Sequence, residues 1–494
     1  MFENYEERKY NLNINIDFTT RTELTKRMIE VSHAFGLGVS EEKHFIIYKD
    51  FKLSFNNGDL VYITGDSGGG KSLLLKEIKN RLNEEKCINF DDLTIDSDTV
   101  VIDNIGSNLE ESVKYLSLMG LNDAFIFIRK YKELSDGQKY RFKLAKMISE
   151  KPDFIFIDEF CNNVDRITAK VIAYNLQRTC RDNNITCFVA TTHKDLIEDF
   201  NPSIIVDKRF MDEVKITYSI PEHKKISFYK DVVFKEGNIE DYKLLSKFHY
   251  KTTDSNFPYY KVVVAKYDND IVGVVVFSPP FLQNRGRNKY FNNKYSTMTS
   301  EVTSEINKFF IRGSRYVISP KYRGCGLGQK LTTESLKFIS NKRYLEVITA
   351  MGKYNPVFDK CGMKRVEISD EEDNSLSKLT EWFKNNNIKF EEINNKRYLK
   401  DFIHNLSDDK KKELKEVFCK ILIHPKAGIG GKDGKRSAVL EEQERFKSNQ
   451  FEDLEESILN YIPKLYTGIS LYYVMENPYY KEESKLSDFF SVTK

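Results

Sequence analysis

Long apolar runs are missing from this sequence. Its hydrophobic clusters are broken by charge within about ten residues, about half of what a bilayer-spanning helix needs. A membrane anchor is therefore not expected. Cysteine is scarce, with seven residues and no C-x-x-C pair, which excludes a disulfide scaffold and fits reduced thiols in a cytoplasmic compartment. Charge of one sign is also lacking: the net charge is only +3, so no global basic field announces a nucleic-acid partner. Met1 to Lys9 is acidic and polar, unlike a secretory leader. Internal repeats and low-complexity tracts are absent. What remains is a 494-residue chain, 40% hydrophobic, long enough for two or three domains with sizeable cores.

The most informative stretch is Gly65-Asp66-Ser67-Gly68-Gly69-Gly70-Lys71-Ser72. It reads G-x-x-x-x-G-K-[ST], the Walker A loop, and lies between an apolar strand (Leu60 to Thr64) and a helix-forming run (Leu73 to Leu82). The glycines let successive N–H groups face phosphate oxygens, and the helix N-terminus adds a favourable dipole. Lys71 is expected to reach the β/γ-phosphates of ATP, and Ser72 to hold Mg²⁺. Further along, Phe154-Ile155-Phe156-Ile157 suits a strand buried on both faces, and Asp158-Glu159 end it with two adjacent carboxylates. As a Walker B motif these carboxylates have work to do: Asp158 joins the Mg²⁺ shell and Glu159 polarises the attacking water. Leu134-Ser135-Asp136-Gly137-Gln138 opens an amphipathic helix, Lys139 to Ile148.

With these residues the chain resembles the ABC-type ATPases, whose signature reads LSGGQ. The resemblance implies that Ser135, Gly137 and Gln138 close over the Walker A-bound ATP of a second copy, in an ATP-dependent homodimer. It also implies a switch-histidine role for His193 and a D-loop role for Asp165. Two departures stand out. No glutamine occurs between Lys71 and Leu134, so the Q-loop residue is missing, with Asp103 or Asn104 as substitutes. The segment between them is short, so the helical subdomain must be small. In transporters that region docks on the membrane subunit. Phe35, Phe45 and Tyr48 are the candidates for stacking on adenine.

A second glycine-rich turn, Arg323-Gly324-Cys325-Gly326-Leu327-Gly328, follows the strand Tyr316-Val317-Ile318 and opens a helix carrying Leu327, Leu331 and Leu336. Val262 to Ala265 and Ile271 to Val276 read as a hairpin about Asp268-Asn269-Asp270. Leu345 to Thr349 reads as a further strand, followed by Tyr354-Asn355-Pro356-Val357-Phe358-Asp359-Lys360-Cys361-Gly362-Met363. R-x-x-G-x-G at a strand–turn–helix junction resembles the pyrophosphate loop of the GNAT N-acetyltransferases, over residues 226–368. The resemblance implies acetyl-CoA, or another acyl-CoA, on residues 323–328. Asn355 then contacts the carrier arm, and an exposed amide near Val317 or Ile318 faces the oxyanion. Phe358 stands where many members have a tyrosine that protonates the leaving thiolate. Glu301 and Glu305 are candidate bases, and Ser314 and Arg315 candidate acceptor-site residues.

The expected fold is α/β: an ABC-type P-loop NTPase domain (1–222), a GNAT domain (223–370) and a small, mainly helical C-terminal region (371–494). The two halves together resemble a prokaryotic and viral family of ABC-type ATPases fused to an acetyltransferase domain. The basic-aromatic segment Arg285 to Tyr295 fits either a nucleic-acid contact or a solvated loop, and Pro425 to Arg436 either a phosphate clasp or a surface loop. The function expected is ATP-coupled N-acylation of a macromolecule, with a DNA or tRNA base as one acceptor. An ATP-driven nucleic-acid clamp with a non-catalytic GNAT module, and a transporter ATPase subunit, are the alternatives.

Overall fold

The structure, a computed structural model, describes residues 9–21, 23–36, 38, 42–82, 85–209, 213–220, 225–249, 257–349, 352, 355–366, 381–388, 396–423 and 471–482. It begins with a two-stranded antiparallel ribbon, β1 (Lys9–Arg21) and β2 (Glu42–Asn56), flanking α1 (Lys26–Phe35). There follow β3 (Leu60–Gly65), α2 (Lys71–Arg81), β4 (Cys87–Asn89), α3 (Leu109–Leu118), α4 (Ala124–Phe127) and α5 (Asp136–Ser149). The domain is completed by β5 (Phe154–Ile157), α6 (Arg166–Asp182), β6 (Thr186–Ala190), α7 (Ile197–Phe200), β7 (Ile204–Lys208) and β8 (Val214–Tyr218).

Strands β3 to β8 form one sheet in the order β4-β5-β6-β3-β7-β8, parallel except for β8. The continuous apolar runs of β5 and β6 are buried at every residue, as strands covered on both faces must be. On one face lie the ribbon and α2, with Phe51, Leu53 and Phe55 packed among Phe154, Phe156 and Phe188. The other face carries α3, α5 and α6, around Phe142, Leu144, Ile155 and Leu176.

The second domain contains β9 (Val233–Gly237), α8 (Ile239–Ser246), β10 (Lys261–Tyr267), β11 (Asp270–Ser278), α9 (Arg285–Tyr290), α10 (Ser300–Phe309) and β12 (Phe310–Ile318). After these come α11 (Leu327–Ser335), β13 (Tyr344–Thr349), α12 (Val357–Lys360) and β14 (Lys364–Val366). Towards the C-terminus lie α13 (Lys396–Asn405), α14 (Asp408–Ile423) and β15 (Leu471–Glu476). The expected hairpin is present as β10–β11, and its turn residues Asp268 (φ 48°) and Asn269 (φ 67°) have the left-handed pair of dihedrals that suits a tight two-residue loop.

The sheet order is β14-β15-β13-β12-β11-β10-β9. Leu471–Glu476 thus sits inside this sheet, antiparallel to both β13 and β14. The expected boundary at 370 therefore needs correcting for this strand, and the C-terminal region is not only helical. Its aromatics explain the placement: Tyr472 and Tyr473 are fully buried, and their hydroxyls donate to Glu346 Oε2 (3.0 Å) and Asp359 Oδ2 (2.9 Å). Helical structure does occupy 381–385, Lys396–Asn405 and Asp408–Ile423. The glycine-rich stretch Pro425 to Arg436 and the acidic run Glu371 to Asp373 lie outside the described residues.

The two domains share packing. Val171 of α6 belongs to the core cluster of the second domain, beside Phe228, Cys325 and Leu327. Burial of one such side chain contributes about 1.5–3 kcal/mol. Arg141, 3% exposed, donates from Nη2 to the Lys321 carbonyl (3.0 Å). Asp199 accepts from the amide (2.6 Å) and hydroxyl (2.9 Å) of Ser227. Among the described residues, no helix is long and apolar enough to cross a membrane.

Candidate functional site

Parallel strands place their C-terminal ends on one edge of a sheet, and three neighbours, β5, β6 and β3, deliver the expected nucleotide residues there. Gly65, Gly68 and Gly70 have φ of 131°, 76° and 87°, open to glycine at no cost. At Gly65 the need is steric too, since a Cβ would lie 1.7 Å from the Lys208 carbonyl oxygen. Asp66, Ser67 and Gly68 are exposed, Gly69 is buried, and Gly70 caps α2. Lys71 Nζ donates to the carbonyls of Gly65 (3.1 Å) and Asp66 (2.6 Å), which curls its ammonium over the loop. Burial lowers its pKa, opposed by the carboxylates of Asp158 and Asp66. Ser72 begins the helix, exposed beside the loop.

Glu159 is exposed and left-handed, φ 45°, with its amide donating to Asp158 Oδ1 (2.9 Å). Cys161 is left-handed as well, φ 60°. Non-glycine residues held there store about 1–3 kcal/mol of strain, which clusters at functional turns. His193, just past β6, is half-buried, and its amide donates to Thr191 Oγ1 (3.3 Å). Tyr62 of β3 donates to the His193 carbonyl, tying His193 to the strand that precedes the glycine loop.

Ser135 caps α5, and Gln138 closes the capping box by accepting from the Ser135 amide (3.0 Å). Ser135 is exposed, and the neighbour of Gly137 is Thr168 on α6. The signature thus packs towards α6, whereas the Walker A loop packs on β2 and β7 through Ile47 and Lys208. Asp165 caps α6 through Thr168, whose amide (3.2 Å) and hydroxyl (2.7 Å) donate to its carboxylate. Burial opposes ionisation of Asp165, but the Thr168 bonds and the nearby Lys321 outweigh it and hold its pKa below the usual range.

The Asn104 amide nitrogen donates to the carbonyls of Asp96 and Thr99 (both 3.1 Å), which fixes its side chain in the turn before α3. Asp103 is exposed. Of the adenine candidates, Tyr48 is buried beneath Gly70, and Phe35 stands alone at 75% exposure. Phe45 is half-exposed and stacks on Phe18 with centroids 5.3 Å apart, a ready aromatic platform. Phe45→Ala is expected to weaken ATP binding about tenfold, since one base–aromatic stack contributes about 1–3 kcal/mol. Fluorescent-nucleotide titration checks it, and unchanged affinity would move the platform elsewhere.

In the second domain β12 pairs with β13 only from Phe310 to Gly313, opposite Tyr344 to Val347. Beyond Gly313 the two strands part. The opening leads into a cavity of about 470 Å³, within the usual range for small-ligand sites. Val317, Ile318, Arg323, Gly324, Gly326, Leu327, Gly328 and Asn355 all line it. Cys325 does not: it is buried, its thiol donates to the Tyr322 carbonyl (3.1 Å), and burial pushes its pKa up to about 11. Gly324 and Gly326 are left-handed, and Gly326 caps α11. Arg323 is largely spent on structure, since Nε donates to the Ile318 carbonyl (2.9 Å), Nη2 to that of Phe248 (3.3 Å), and Nη1 pairs with Asp123 (3.3 Å).

Phe358 is buried in contact with Tyr316, ring centroids 5.1 Å apart. The Tyr316 hydroxyl folds over Gly313, where a Cβ would lie 2.5 Å from it, and it is buried with no hydrogen-bond partner. Burial pushes its pKa upward. Sequence reasoning missed this phenol because it fixed on the position of Phe358. Glu305 is engaged elsewhere, by Lys294 and the Tyr295 hydroxyl, and neither it nor Glu301 lines the cavity. Ser314 does line it.

The segment Arg285 to Tyr295 is not a solvated nucleic-acid loop throughout. Arg287 is fully buried, bidentate to Glu346 (2.7 and 3.1 Å), and Phe291 and Tyr295 pack edge-on against Phe310. The same residue types that suit base stacking here build an interior. The signal that distinguishes them is Glu346 on β13, a carboxylate set inside the apolar run Leu345 to Thr349 and fully buried.

Residues 227–363 match the Acetyltransferase (GNAT) family. The methionine import ATP-binding protein MetN of Clostridium tetani is 27% identical over 234 residues, covering 39% of this chain and 73% of that protein. The alpha-hemolysin translocation ATP-binding protein HlyB of Escherichia coli O157:H7 is 25% identical over 206 residues, 34% of this chain. The chain spans only 28% of the length of HlyB. Among solved structures, a dimeric bacterial ABC transporter cassette aligns at 18% identity and a TM-score of 0.30, over 36% of this chain and 92% of that one. In sequence order, then, the chain joins an ABC-type ATP-binding cassette to a domain of the Acetyltransferase (GNAT) family.

Proposed function

We propose that this protein hydrolyses ATP as an ATP-dependent homodimer and transfers an acyl group from acetyl-CoA, or another acyl-CoA, to an amine on a macromolecule. The observation that carries the reading is the presence of two phosphate cradles of different make, Gly65 to Ser72 and Arg323 to Gly328, in domains docked through α6. Lys71 and the loop amides hold the triphosphate. Ser72 and Asp158 hold Mg²⁺, which neutralises charge on the phosphates. Glu159 orients and polarises water, and His193 contacts the terminal phosphate. Ser135, Gly137 and Gln138 act on the nucleotide of a second copy, as the resemblance to the ABC-type ATPases implies; within one chain the side chain nearest Gly137 is Thr168 of α6. Asp165 follows the position of that closure.

In the second domain the amine attacks the thioester carbonyl, and the free backbone edge at Val317 or Ile318 stabilises the oxyanion. The C–S bond then breaks as the C–N bond is kept. The thiolate takes the Tyr316 proton, and the proton lost from the amine returns to Tyr316 through water. Phe358 alone would favour a non-catalytic binding module, but Tyr316 supplies the phenol that Phe358 lacks.

The acceptor we infer is macromolecular, such as a DNA or tRNA base, because a free metabolite has no need of an ATP-driven clamp. The names of the relatives concern transport. Here, however, the segment between Lys71 and Leu134 packs on the second domain, through Gly120 against Arg323 and Asp123 against its guanidinium. That surface is not free for a permease. The deciding experiment incubates radiolabelled acetyl-CoA with DNA, tRNA or lysate protein, with and without ATP. Label in one macromolecular fraction, increased by ATP, is expected; a chain that labels none of them and hydrolyses no ATP is not this enzyme.

A further inference from the structure

The cavity beside the second glycine loop is not built by the second domain alone. One wall is the cassette: Lys114 on α3, Asn122 after it, and Asn175 and Arg178 on α6. Gly120 and Gly324 meet there backbone to backbone. A Cβ on Gly120 would lie 2.5 Å from the Arg323 carbonyl oxygen, and one on Gly324 would lie 2.4 Å from Asn175 Nδ2. Asn175 is 3% exposed, and its Nδ2 has no hydrogen-bond partner. The buried Oδ1 of Asn122 also has none. Leaving such amide atoms unpaired in the interior is unfavourable. Both residues line the same cavity beside the Gly324 turn, which makes it the place where a polar ligand would satisfy them. Arg323, the one cation of the loop motif, is turned to Asp123 and two carbonyls. Lys114 and Arg178 are the exposed cations of the cassette wall, which also carries Asp182, and Lys360 of the second domain lines the cavity as well.

On the reading that this cavity takes acyl-CoA, we propose that the ATP-binding cassette itself holds the phosphorylated nucleoside end of the carrier. Asn175 donates to it, and Lys114 and Arg178 pair with its 3′-phosphate. The thioester arm runs the other way, into the opening between β12 and β13. The acyl-CoA site is complete only when both domains are docked. It also leans on the nucleotide machinery, because α6 is capped by Asp165, whose carboxylate lies 3.6 Å from Lys321, two residues before Arg323.

The test is calorimetric titration of the full chain with acetyl-CoA and with its 3′-dephospho analogue. Wild type is expected to prefer acetyl-CoA at least tenfold. Lys114→Ala with Arg178→Ala, both surface changes, should bring that preference close to one while the analogue binds as before. Arg178→Glu should invert it, with thermal melts showing a folded chain. Equal binding of the two ligands by wild type, or a preference that survives in both variants, overturns the cassette wall as a phosphate site. Binding of neither ligand overturns the acyl-CoA reading of the cavity, and this inference with it.

Discussion

Glu159→Gln is expected to stop ATP hydrolysis and leave ATP bound. The carboxylate ends β5 beside Asp158, exposed and in a left-handed backbone that the turn imposes. Glutamine keeps the size and one carbonyl oxygen but can neither accept a proton nor carry the charge that polarises water. Loss of a positioned base lowers turnover by about 10²–10⁴-fold. ATP affinity should stay within about threefold, because Lys71, the loop amides and Asp158 are untouched. A second consequence separates the homodimer from a monomeric enzyme. With hydrolysis blocked, two copies should stay closed over two ATP molecules, and the mass in light scattering should double on adding ATP. Lys71→Ala should do the opposite, losing both nucleotide and dimer. A Glu159→Gln chain with normal turnover would show that the water is activated elsewhere, and one that binds ATP yet stays monomeric would remove the signature residues from the site.

Much of this was legible in the sequence because it is written in short, local patterns. A glycine loop between a strand and a helix carries its geometry with it, so the Walker A turn, the second glycine loop and the β10–β11 hairpin lie where their residues put them. What was not legible depends on distant pairing. Leu471–Glu476 joins a sheet whose preceding strand in sequence, β14, ends at Val366, and nothing local in Leu-Tyr-Tyr-Val-Met-Glu says between which strands it inserts. The fate of Arg287 likewise depends on Glu346, 59 residues away. The composite cavity could not be read at all, since Asn122 and Asn175 are unremarkable polar residues until α6 is laid against the second domain.

Tyr316→Phe is expected to lower acyl transfer about 10²-fold, the usual scale for a lost general acid, and to leave the fold at least as stable. The two expectations come from one oxygen. The Tyr316 hydroxyl is buried without a partner, a state that costs about 1–3 kcal/mol, so removing it relieves the protein. A merely structural tyrosine would show the reverse, a lower melting temperature and an unchanged rate. Burial pushes the phenol pKa up, so it stays protonated through neutral pH. Tyr316 and Phe358 touch beside the opening between β12 and β13, where the proposed reaction places the leaving thiolate. Phe358→Tyr should therefore restore most of the rate in the Tyr316→Phe background, by returning a phenol to the same few ångströms. Acyl-CoA turnover measured on the four combinations decides it: a full rate in Tyr316→Phe, or no rescue by Phe358→Tyr, would take the proton transfer away from this pair.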